Sequence, residues 1–210
     1  MRIEADQVLW SVPESDRAGR PLLVLLHGHG MNERIGFELR HRLPSSLVLA
    51  SLRGPLRARA GYGWFPLDAS FSLGQVASAV SAVLNWLDDQ PGNHSSVGLL
   101  GFSQGSAIAV QCLRERPTDF AYAAVLSGFL NPLPARGDRE LARIRPPVFS
   151  GRGGADGLVP RPLVVITERW LATHATLTSK VYPGLGHNVS DEEIADLGVF
   201  LEAQLTPQAT

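Results

Sequence analysis

The chain has 210 residues, 44% of them hydrophobic and 19% charged, with a net charge of -1 and one cysteine. That near-neutral balance excludes electrostatic capture of nucleic acid or of an anionic membrane as the basis of function. One thiol excludes an intrachain disulfide and fits a reducing, cytoplasmic setting. No stretch approaches the ~20 apolar residues of a membrane span, and Met1-Arg2-Ile3-Glu4-Ala5-Asp6 carries acids where a signal peptide has its apolar run. Neither stable membrane insertion nor secretion is therefore expected.

In chain order, apolar runs of strand length fall at 8–10, 22–26, 47–50, 97–100, 123–126, 147–149 and 180–182. Most are unbroken rather than alternating, as strands buried on both faces are. Stretches of helical period separate them at 33–42, 73–88, 103–116, 160–173 and 190–205. This alternation predicts one three-layer α/β domain over 1–210, with a mainly parallel central sheet, helices on both faces and a frayed tail at 206–210. Cys112 falls on the apolar run of the predicted 103–116 helix and reads as a buried structural thiol. Ligands of such sheets gather at the carboxyl ends of the strands. Those ends point to His27 through Gly30, Arg53, Ser103, Gly128, 152–156 and 184–187.

The most informative of these positions is Gly101-Phe102-Ser103-Gln104-Gly105, set between a predicted strand and a predicted helix. A serine bracketed by glycines at a strand-to-helix turn is a nucleophile elbow, where a Cβ two residues to either side would collide with neighbouring backbone. With 21 glycines in the chain the pentapeptide alone is weak, since composition would supply it in roughly one such chain in six; its place between strand and helix is what gives it meaning.

A serine hydroxyl needs a general base, and the base needs an orienting carboxylate, here in the order Ser, acid, His. Of the two later histidines, His174 lies inside a predicted helix, whereas His187 lies in the loop Pro183-Gly184-Leu185-Gly186-His187-Asn188 after the last predicted strand. Among the intervening aspartates, Asp119 precedes a strand, at the wrong edge of the sheet. Asp138 is a second candidate in a loop flanked by Arg136 and Arg139, and Asp156 follows Gly151-Arg152-Gly153-Gly154 directly above a strand end. Asp156 is the expected acid. One oxyanion donor is expected from the Gln104 amide and a second from the His29 or Gly30 amide of the turn Leu26-His27-Gly28-His29-Gly30.

His27-x-His29 also has the spacing of a zinc pair, but Met31-Asn32 stand where further ligands are needed, so neither a metal nor any other cofactor is expected. Arg53-Gly54-Pro55-Leu56-Arg57-Ala58-Arg59 reads as a solvated loop face or as the rim of a site that meets an anionic substrate. Trp64 and Phe65 either cap the core or wall an acyl pocket.

Taken together, Leu25 to Gly30, Arg53-Gly54-Pro55, Gly63-Trp64-Phe65, the elbow, Leu126-Ser127-Gly128, Asp156 to Pro160 and Gly184 to His187 resemble the phospholipase/carboxylesterase family of α/β-hydrolases over nearly the whole chain. The resemblance implies an α/β-hydrolase fold with Ser103 as nucleophile, Asp156 as acid, His187 as base, His29 and Gln104 as oxyanion donors, and Trp64 in the pocket wall. Phe65 and Arg53 are the further pocket candidates. Two positions depart from the family pattern: Ser106 replaces a glycine after the elbow, and Arg152 replaces a histidine four residues before the acid. The expected activity is hydrolysis of carboxylic esters with short to medium acyl chains, because the arginine-bearing segment between Arg53 and Trp64 leaves little room for a long lipid groove. A thioesterase or lysophospholipase with the same triad is the nearest rival, and a non-catalytic receptor on this fold is a remote one. The expected partner is a small-molecule ester; a homodimer stays open.

Overall fold

A computed structural model describes residues 1–68 and 72–206; the rest of the predicted tail, 207–210, lies outside the described residues. Seven strands form the main sheet: β1 (Val8–Trp10), β2 (Leu22–Leu26), β3 (Val48–Leu52), β6 (Val97–Phe102), β7 (Tyr122–Leu126), β8 (Pro147–Gly153) and β9 (Thr176–Tyr182), in the order β1-β3-β2-β6-β7-β8-β9. Strand β1 runs antiparallel to β3, and every other neighbouring pair is parallel. A separate antiparallel hairpin joins β4 (Leu56–Ala58) and β5 (Gly61–Gly63). The helices are α1 (Glu33–Phe37), α2 (Leu73–Asp88), α3 (Gln104–Glu115), α4 (Asp138–Ile144), α5 (Arg161–His174) and α6 (Asp191–Leu205).

The unbroken apolar strands follow from having a core on each side. Leu22, Val24 and Leu26 of β2 pack into one layer with Val80 and Val83 of α2 and Ile108 and Cys112 of α3. Leu23 and Leu25 pack into the other, with Leu197, Phe200 and Leu201 of α6. Each such side chain contributes about 1.5–3 kcal/mol on burial. Cys112 is a free, fully buried thiol, and burial pushes its pKa up. Among the described residues no helix is long and apolar enough to cross a membrane.

Differences from the expected elements have local causes. The predicted 33–42 helix is α1 followed by a tighter 3-10 turn at Glu38–His41. Strand β9 begins four residues before its apolar part because it is an edge strand, largely exposed, whose polar start is held by parallel pairing to β8.

Helix α6 carries a cost. Glu193 is fully buried, and neither carboxyl oxygen has a hydrogen-bond partner among the described residues. It faces Gly151 of β8 so closely that a Cβ there would lie 2.3 Å from Oε1. Burial pushes the Glu193 carboxyl up to about 7, against a smaller opposing effect of the Ser190 cap. An acid whose folded pKa is raised supports the fold fully below its unfolded pKa and loses that support as pH climbs through the folded value. Glu193→Gln should therefore be more stable than the parent by up to about 3 kcal/mol at pH 8, the gap narrowing to within about 1 kcal/mol at pH 5. Urea unfolding at the two pH values reads the difference, and an equal effect at both would count against it.

Candidate active site

Strand β6 delivers Ser103 at the carboxyl edge of the sheet, and the chain turns at once into α3. Ser103 has φ 53° and ψ -116°, a left-handed conformation that an L-residue adopts only when its surroundings enforce it. The surroundings here are tight: a Cβ at Gly105 would lie 2.0 Å from the Leu26 carbonyl oxygen, and one at Gly101 would lie 2.5 Å from the Gly105 backbone. The Ser103 amide donates to Leu126 O at 2.9 Å. Ser106, which departs from the family pattern, is absorbed without loss: its buried hydroxyl lies 2.5 Å from Gly101 O and 3.0 Å from Leu126 O, tying the elbow to β6 and β7.

The acid and the histidine arrive on two loops locked together. A Cβ at Gly153 would lie 2.1 Å from Leu185 O. The Ala155 amide donates to that same carbonyl at 2.9 Å, and the Gly154 amide to Tyr182 O at 2.8 Å. Asp156 Oδ2 thereby lies 2.8 Å from His187 Nδ1, and His187 Nε2 lies 2.8 Å from Ser103 Oγ. Burial alone would raise the Asp156 pKa, but the His187 hydrogen bond and the Leu158 and Val159 amides outweigh it, and the net shift is downward. An ionised Asp156 accepts from Nδ1–H, which leaves Nε2 as the acceptor for the serine proton. The Phe102 ring, 5.1 Å from the imidazole, packs against it. Arg152, in place of the family's histidine, turns away to Glu168 at 3.6 Å.

The other titratable candidates are engaged elsewhere. Asp138 is bound by Arg114 at 2.7 and 2.8 Å. Asp119 lies 3.6 Å from Arg116. His174 stacks on Trp170 with ring centroids 4.4 Å apart and bonds the Trp170 carbonyl.

The turn after β2 is fixed from three sides. His27 Nε2 accepts from the Gly54 amide at 2.9 Å, so its proton sits on Nδ1 and goes to Gly28 O at 2.7 Å. Burial keeps this imidazole neutral by lowering its pKa, and with both nitrogens spent it has none left for a metal. The β4–β5 hairpin docks on the same turn, with Gly30 N donating to Tyr62 O and Tyr62 N to Met31 O. Among the described residues the His29 and Gln104 amides are not committed to any protein acceptor, which leaves both free for an oxyanion beside Ser103. Among the described residues no group of three or more His, Cys, Asp or Glu side chains is placed to hold a metal.

Two expected pocket residues prove to be struts. Trp64 is 0% exposed, its indole N–H donating to His27 O at 2.8 Å, and it supports the turn from beneath rather than lining the cleft. Arg53 forms a two-pronged ion pair with the buried Glu33, at 2.8 and 2.6 Å, and does not reach the cleft either. Phe65 does line it. A residue that sequence reasoning missed as a clasp is Gln104: its side chain accepts from Trp64 N at 2.8 Å and donates to Phe65 O at 2.6 Å. The cleft over Ser103 measures about 740 Å³, with His29, Phe129, Leu158 and Leu163 among its walls. A second, more apolar cavity of about 440 Å³ shares Phe65, Phe129 and Leu163 with it.

A parallel sheet flanked by helices, a strained serine at a strand-to-helix elbow, and a histidine and aspartate on the last two loops define an α/β-hydrolase fold. The chain belongs to the phospholipase/carboxylesterase family, whose model matches residues 9–205. It is 28% identical over 110 residues to acyl-protein thioesterase 1 of Saccharomyces cerevisiae, covering 50% of this chain and 48% of that one. It is 35% identical over 119 residues to acyl-protein thioesterase 1 of Mycosarcoma maydis, covering 51% and 48%. The chain thus spans about half the length of these relatives. Its fold matches the crystal structure of a carboxylesterase from Mesorhizobium loti with a TM-score of 0.79 and 20% identity, covering 95% of this chain and 97% of that one.

Proposed function

We propose that this chain is a serine hydrolase that cleaves carboxylic esters through an acyl-enzyme on Ser103. One observation carries the reading: the unbroken relay from Ser103 Oγ to His187 Nε2 and from His187 Nδ1 to Asp156 Oδ2, both links 2.8 Å. Ser103 Oγ attacks the ester carbonyl carbon while His187 Nε2 takes its proton. The carbonyl electrons move onto oxygen, between the His29 and Gln104 amides, each donor worth about 3 kcal/mol in the transition state. Collapse expels the alcohol, which leaves with the proton from His187. Water then attacks the acyl-serine by the same route in reverse and releases the carboxylic acid.

The apolar walls Phe65, Phe129 and Leu163, shared by cleft and second cavity, favour an acyl chain at the medium end of the expected range. They run counter to a site reduced to short acyl groups. Each methylene buried adds about 0.8 kcal/mol, or roughly fourfold in kcat/KM. A series of 4-nitrophenyl esters from acetate to laurate should therefore show kcat/KM climbing to about eight carbons before it levels. A flat series would remove the acyl assignment. The names of the relatives favour a second reading, hydrolysis of thioesters by the same residues, and matched thioesters in that series decide which bond is preferred.

A further inference from the structure

The turn joining β4 to β5 consists of Arg59 and Ala60, with Ala58 paired to Gly61 across it. Arg59 has φ 53°, a left-handed value at the first position of a two-residue hairpin, where glycine is the favoured residue. A long charged side chain at that position is locally unfavourable, and such violations concentrate at functional sites. Arg59 stands at the rim of the catalytic cleft, in one wall with His29 and Asp68. Its stem lies over the oxyanion turn, Cδ being 3.5 Å from where a Cβ on Gly30 would sit. Burial first, and the Arg59 charge second, lower the His29 pKa.

The other arginines of the segment face elsewhere. Arg53 is held by Glu33, and Arg57 lies 4.6 Å from the centroid of the Tyr62 ring. The cleft also has apolar lining, and Phe65, Phe129 and Leu163 are shared between it and the second cavity.

We infer that Arg59 determines specificity by receiving an anionic group on the alcohol side of the ester, while the acyl chain runs the other way along the Phe65, Phe129 and Leu163 wall. The inference rests on the hydrolase reading of Ser103. A guanidinium at a solvent-facing rim attracts such a group at the range of salt-screened electrostatics, and a carboxylate can engage it with two parallel N–H donors.

The test compares 4-nitrophenyl butyrate with 3-carboxy-4-nitrophenyl butyrate as the ratio of their kcat/KM values. Working with the ratio within each variant cancels leaving-group reactivity. Relative to the parent, the ratio of carboxylated to neutral ester should fall about fivefold in Arg59→Gln and in Arg59→Gly, mainly through KM, and should stay within about twofold in Arg59→Lys. In the parent it should shrink as salt is raised from 20 mM to 500 mM, several times shortening the Debye length. Arg59→Gly should also melt at a higher temperature than the parent, because glycine fits the turn, so a lost preference there cannot be ascribed to misfolding. A ratio that Gln and Gly leave unmoved, or that ignores salt, overturns the role of Arg59 alone. A parent that hydrolyses neither ester overturns the hydrolase reading, and this inference falls with it.

Discussion

Ser103→Ala should lower kcat for 4-nitrophenyl butyrate by at least about four orders of magnitude while leaving the fold in place. The nucleophile, base and acid act as one unit, so losses within such a set are far from additive. Asp156→Asn should cost about 10⁴-fold alone, because an asparagine amide can donate to Nδ1 and hold the imidazole in the wrong tautomer. Combined with Ser103→Ala it should cost almost nothing more. Asp138→Asn provides the contrast, since Asp138 is the other aspartate that the sequence offers for the acid role. Its carboxylate is committed to Arg114, so its loss should appear in stability rather than in the tautomer-dependent step. Steady-state kinetics on the three single variants and the double variant separate these outcomes. A loss in Asp138→Asn equal to that in Asp156→Asn would contradict the assignment.

The largest expected effect on stability is at Arg114. Its side chain is 1% exposed and bonds Asp138 twice, Gln111 Oε1 at 3.2 Å, Asn131 O at 2.8 Å and Leu133 O at 2.6 Å. It thus ties α3 to α4 and to the loop that walls the apolar cavity. Arg114→Ala would leave a partly buried carboxylate without its cation and two carbonyls without donors. Removing one partner of such a buried network typically costs about 3–5 kcal/mol. Lysine should not restore it, because a single ammonium cannot serve a carboxylate and two carbonyls in the planar spread that a guanidinium offers. Urea unfolding of Arg114→Ala and Arg114→Lys reads the cost. In the same variants, activity on laurate should fall before activity on acetate, as Asn131 and Leu133 lose their anchor. A change under about 1 kcal/mol would refute the anchoring role.

Much of the architecture was legible because burial on both faces of a parallel sheet leaves an unmistakable trace, runs such as Leu22-Leu23-Val24-Leu25-Leu26 with no polar alternation. The residues of the site were legible for a related reason. Gly101 and Gly105 bracket a turn too tight for side chains, and the loops of Asp156 and His187 follow directly on strand ends. Elements whose cause is tertiary were not legible. The β4–β5 hairpin carries no turn signal because Arg59 occupies the position where glycine would announce it, and two glycines dilute the strand that follows. Helix α4 is not legible either: between Arg136 and Arg139 the sequence shows Asp138 only as a loop residue, and the partner that anchors it, Arg114, lies 24 residues earlier. For Trp64 the sequence leaves core cap and pocket wall both open, and for Arg53 a place near a strand end locates the backbone; neither decides whether the side chain points into the cleft or beneath it. The Gln104 clasp has no local signal at all, since its partners lie about forty residues away.

The most direct measurement is to treat the intact protein with a fluorophosphonate and locate the adduct by peptide mass spectrometry. Ser103 Oγ should displace fluoride and carry one phosphonyl group per chain, on the peptide containing the elbow. Labelling should disappear after heat denaturation and in His187→Ala. An adduct on any other serine, or none on protein that still hydrolyses esters, would contradict the account.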